Sequence, residues 1–82
     1  MMDALDVMAN LSQAIPYYQP IFSADEHGVI GYEVLGRFQT EAGPVSLGPF
    51  FHDDTIPEEF RIEVDDVITK KALDYFLSLP DQ

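Results

Sequence analysis

Five residues, Ala24-Asp25-Glu26-His27-Gly28, separate two stretches rich in aromatic and branched side chains, 17–23 and 29–38. Asp and Gly supply turn chemistry, and two β-favouring runs joined this closely read as a hairpin. A parallel pair would need a crossover of about a dozen residues or more, so these strands must run antiparallel. Side chains alternate along a strand. Gly31, Glu33, Leu35 and Arg37 therefore share one face of the second strand, and Ile30, Tyr32, Val34 and Phe38 share the other. The second set is uniformly apolar and is expected to pack under a helix. On the first strand Tyr17, Gln19 and Ile21 lie together, and pairing Ser23 with Val29 sets Gln19 opposite Glu33.

Periodicity supplies the rest of the chain. Leu5, Met8, Leu11 and Ile15 recur every three or four positions after Asp3, predicting a capped amphipathic helix over 3–14 that ends by Pro16. Gly43, Pro44, Gly48 and Pro49 make 41–49 read as a loop, anchored at its end by Phe50 and Phe51. Thr55-Ile56-Pro57-Glu58 fits a capping box, with the Thr55 hydroxyl meeting the Glu58 amide, and opens a helix running to about Leu79. Phe60, Val64, Val67, Ile68, Ala72, Tyr75 and Leu79 form its broad apolar face, within which Lys71 has no sequence-level reason to sit. Ile62, Leu73 and Leu77 form a narrower second stripe that calls for a second neighbour. The expected architecture is α/β: helix, antiparallel hairpin, loop and long helix in one small domain over 1–82, with no internal repeat and no linker.

Charge narrows the partners. Four basic residues against fifteen acidic ones give a formal charge of -11, which repels a nucleic-acid backbone or an anionic membrane surface. A hydrophobic content of 46% separates the chain from acidic disordered tails. It has no cysteine, hence no disulfide and no thiolate metal site, and a reducing cytosol suits it. No apolar run approaches the ~20 residues that cross a bilayer, so the expected location is cytoplasmic.

The mixed face of the hairpin is where chemistry can reside. Glu33 offers oxygen to a divalent cation, Arg37 a guanidinium to an anion, and Gln19 an amide to a base edge. The bland alternative is a solvated Glu33–Arg37 pair, worth about 0–1 kcal/mol. His27 and His52 are far apart in sequence and read as solvated turn residues. The pairs Asp53-Asp54, Glu58-Glu59 and Asp65-Asp66 lack EF-hand spacing. Glu58 and Glu59 suit a helix N-terminus, while Asp65 and Asp66 fall on flanks between the apolar stripes.

Tyr18-Gln19-Pro20-Ile21, followed by Gly31-Tyr32-Glu33-Val34-Leu35-Gly36-Arg37, resembles the opening of an EAL domain. Leu47-Gly48-Pro49-Phe50-Phe51 and Ile56-Pro57-Glu58-Glu59 resemble the YkuI-like branch of that family, and the likeness covers roughly residues 14 to 80. It implies a (β/α)8 barrel with a reversed first strand, a phosphodiesterase that hydrolyses cyclic-di-GMP to linear pGpG with Mg2+ or Mn2+. Within it Glu33 would be a catalytic metal ligand, Leu35 and Arg37 would contact the dinucleotide, and Gln19 would touch a guanine. Val34 stands where Ala is usual, and Gly36 where other residues are common. A complete barrel needs ~250 residues. The expectation is therefore an incomplete EAL domain, comprising the first two strands and first long helix, inactive by itself. The alternative is a truncated, non-catalytic module that binds cyclic-di-GMP or forms a homo-oligomer to cover its second stripe and open strand edges.

Overall fold

The structure, a computed structural model, describes residues 3–25 and 28–80. Its centre is the expected hairpin, with strand β1 (Ala14–Phe22) antiparallel to β2 (Val29–Thr40). Gln19 pairs with Glu33, as the sequence suggests, but the turn end differs. A register shift between Ile21 and Phe22 puts Phe22, rather than Ser23, opposite Val29. The bulge absorbs one residue near the turn and leaves the ladder from Ala14 to Ile21 in register.

Three expectations are corrected. The stretch 41–49 is not simply a loop: Gly43–Ser46 forms strand β3 against β2, and Gly48–Phe51 forms a short helix α2, making a three-stranded sheet of order β1-β2-β3. The turn into β3 works because Gly43 adopts φ +114°, open to glycine, while the Thr40 hydroxyl donates to the Gly43 carbonyl at 2.6 Å and accepts the Ala42 N–H at 3.2 Å. As edge strands, β1 and β3 can carry Pro16, Pro20 and Pro44, whose missing N–H a central strand would not tolerate.

The first helix is also shorter than its pattern. Helix α1 (Ala4–Ala9) begins as expected, with the Asp3 carboxylate accepting the Leu5 N–H at 3.0 Å. It stops where the Asn10 amide donates to the Asp6 carbonyl, a 3-10 turn follows over Leu11–Gln13, and Ala14 and Ile15 join the ladder opposite Phe38 and Arg37. Pairing in the sheet overrides local helical periodicity there.

Helix α3 (Glu58–Ser78) has Pro57 at its N-cap and no side-chain cap, so the capping box is not made. Thr55 instead turns back to Asp53, donating from its hydroxyl at 2.6 Å and its N–H at 2.9 Å. These bonds, the hydroxyl's first, hold the Asp53 carboxyl below its usual range.

The core lies on the helix side of the sheet, where Val7, Ala14, Phe38, Leu47, Phe50, Ile56, Val64 and Ile68 form one buried cluster. Val64, Ile68 and Ala72 are the buried line of α3, flanked by half-buried Phe60 and Val67. Lys71 belongs in that stripe for a reason distant in sequence: its ammonium donates to the carbonyls of Ser12 at 2.9 Å and Ala14 at 2.7 Å, clasping α3 to the start of β1. Its aliphatic stem can lie along apolar surface while the charge finds oxygen. Farther along, Tyr18 stacks on Tyr75 at 4.8 Å, and Phe76 meets Tyr18 and Tyr32 at 5.1 and 5.8 Å. Burial, with the neighbouring Tyr75, raises the Tyr18 phenol above its ordinary pKa. Cover thins toward the turn, and of the four apolar residues expected to pack under the helix, Phe38 is buried while Ile30 stays 66% exposed. The second stripe, Ile62, Leu73 and Leu77, is exposed as well.

Candidate functional site

Alternation along β1 and β2 gathers the site. Residues directly opposite in an antiparallel ladder project from the same face. The pairs Ile15–Arg37, Tyr17–Leu35 and Gln19–Glu33 thus put Gln19, Glu33, Leu35 and Arg37 together. Gln19 and Glu33 are exposed and directly paired, whereas Leu35 and Arg37 are half-buried. An amide, a carboxylate, a branched alkyl group and a guanidinium therefore occupy one patch on the face opposite Phe38.

Arg37 is tethered rather than free to swing. One terminal nitrogen donates to the Gly36 carbonyl at 2.9 Å, and the guanidinium carbon lies 5.8 Å from the centre of the Tyr17 ring. These contacts take the place of a simple Glu33–Arg37 surface pair. The same Gly36 carbonyl also accepts the N–H of fully buried Leu47 at 3.1 Å, linking the patch to the core. The sequence reading put Tyr17 on the Gln19 face without giving it a task; its diagonal position from an arginine was the available signal.

The two departures from the family pattern fall on the packing face, and one now has a cause. A Cβ at Gly36 would stand 2.9 Å from Ile68 Cδ1 and 3.2 Å from Phe51 Cε2, so glycine lets α2 and α3 close on β2. Val34 adds apolar bulk on that side and remains partly exposed.

The carboxylate of Glu33 suits a hard cation such as Mg2+ or Ca2+, but such ions take six or more oxygens. Among the described residues no group of three or more His, Cys, Asp or Glu side chains could hold a metal. Glu33 fits as one ligand of a metal site and not as the whole of it. His52 is exposed at the end of α2, where its backbone N–H caps the Gly48 and Phe50 carbonyls. His27 lies outside the described residues. Asp65 and Asp66 are exposed on α3, as their flank positions suggest. No described helix is long and apolar enough to cross a membrane.

No protein-family model matches the chain. Over 77 residues, 94% of its length, it is 54% identical to YkuI, an uncharacterised EAL-domain containing protein of Bacillus subtilis strain 168. The crystal structure of Bacillus subtilis YkuI, with an EAL domain and in complex with c-di-GMP and calcium, superposes with a TM-score of 0.91 at 52% identity over 98% of this chain. The chain spans about a fifth of each, 19% of the relative and 20% of the solved chain.

Proposed function

We propose, from a chain whose sequence and fold are those of the opening of an EAL domain, that it supplies one metal-ligand carboxylate and part of the dinucleotide surface of a cyclic-di-GMP phosphodiesterase. The observation that supports this most is the direct pairing of Gln19 with Glu33, with Leu35 and Arg37 on the same face. That the Bacillus subtilis relative was solved with c-di-GMP and calcium supports the choice of ligand and of a divalent cation. In this reading Glu33 is a catalytic residue holding Mg2+ or Mn2+ together with ligands supplied by later strands. Leu35 lies against the dinucleotide, Arg37 meets its phosphodiester charge, and Gln19 takes a guanine edge. Bound there, the divalent cation would supply polarisation of the phosphodiester and an acidified water for its hydrolysis to pGpG. The site operates in the cytoplasm.

With one carboxylate in place, residues 1–82 alone are inactive, because two-metal phosphodiester chemistry needs ligands that hold ions ~3.5–4 Å apart. The test is calorimetric titration of the protein at its full natural length with cyclic-di-GMP in the presence of Mg2+ or Ca2+. Saturable binding is expected; no heat of binding would overturn the reading.

A second reading, favoured by the exposed Ile62, Leu73 and Leu77 stripe, is a non-catalytic homo-oligomer that covers this surface with a second copy. Light scattering on the 82-residue chain separates the two. A monomer of 9.2 kDa defeats self-association.

A further inference from the structure

Arg37 provides the positive charge of the patch, and what limits its usefulness is freedom. An arginine carries about 2 kcal/mol of rotamer entropy, most of which must be surrendered before its fork can meet an anion. Contacts that fix the side chain beforehand reduce that cost at the moment of binding.

Two such contacts exist, from different strands. The Gly36 carbonyl holds one terminal nitrogen at 2.9 Å, and that carbonyl is itself fixed by the buried Leu47 N–H. Across the ladder, Tyr17 stands opposite Leu35, one pair removed from Ile15–Arg37, and its ring centre is 5.8 Å from the guanidinium carbon. That distance is within the ~6 Å over which a cation is drawn to an aromatic face. Tyr17 is 41% exposed within these residues, its ring beside the Arg37 guanidinium, whereas Tyr18, on the opposite face, has the aromatic partners of α3.

We infer that Tyr17 is a positioning residue for Arg37, its ring holding the guanidinium ready for the phosphodiester anion of a cyclic dinucleotide. This rests on the proposed dinucleotide site and adds a residue to it. The role belongs to the π-face and not to the phenol hydroxyl, so Tyr17→Phe should preserve it and Tyr17→Leu should remove it.

The test is a double-mutant cycle read by cyclic-di-GMP titration of the full-length protein with Ca2+, with thermal melts of each variant alongside. Tyr17→Leu should weaken binding about two- to fivefold, Tyr17→Phe should bind like the unmodified protein, and both should melt close to it. In an Arg37→Gln background, Tyr17→Leu should cost less than about twofold more, because the group it positions is gone. A Tyr17→Leu loss that persists undiminished in that background overturns the inference, as does an unchanged affinity of Tyr17→Leu while Arg37→Gln binds weakly. Failure of the unmodified protein to bind overturns the underlying site along with it.

Discussion

Glu33 and Phe38 stand on the same strand and obey opposite rules. Phe38 faces the helices, is 8% exposed and joins a cluster drawn from α1, β1, α2 and α3. Glu33 faces the other way, exposed beside Gln19. A period of two lets one strand do both jobs: one side of the sheet gains stability from burial, and the other carries polar groups with little packing to lose if they change. Gly36 and Arg37 mark the junction, the first admitting α3 and the second resting on the first's carbonyl.

The largest effect should come from the packed side. Phe38→Ala should cost about 3–5 kcal/mol in urea unfolding, a large part of the ~5–15 kcal/mol that holds a small domain together. Gly36→Val puts branched bulk against Ile68 and Phe51 and should cost about 1–3 kcal/mol, and Ile68→Ala should cost less in that background than it does alone. Lys71→Met keeps the aliphatic stem but leaves the Ser12 and Ala14 carbonyls without their donor. It should cost about 1 kcal/mol, with faster amide exchange at the start of β1 as the local signature.

The same contrast explains what could be read in advance. The hairpin and the Gln19–Glu33 pairing were legible because a short turn and strict alternation constrain both. The bulge near Phe22 was not, since one extra residue beside a turn leaves no distinctive pattern. Strand β3 escaped because four residues including Gly43 and Pro44 carry a loop's composition, and it is the pairing with Arg37 to Thr40 that makes them a strand. The Thr55 capping box matched in pattern, but α3 begins at Glu58 with Pro57 as its N-cap, so Thr55 stands two residues too early to cap it and its hydroxyl donates to Asp53. Lys71 looked like a flaw because its partners lie 57 and 59 residues away, beyond any local rule. At the candidate site the four residues were readable from alternation and from the EAL-like motif, while the tether on Arg37 needed the fold.

The open face is tested most directly by Glu33→Gln, which keeps the side chain's size and removes its charge. Its unfolding free energy should stay within about 0.5 kcal/mol of the unmodified protein, while the metal-dependent hydrolysis of cyclic-di-GMP that the proposed function expects of the full-length protein should be lost. Retained turnover, or a stability loss as large as that of Phe38→Ala, would contradict the assignment of Glu33 to chemistry rather than to packing.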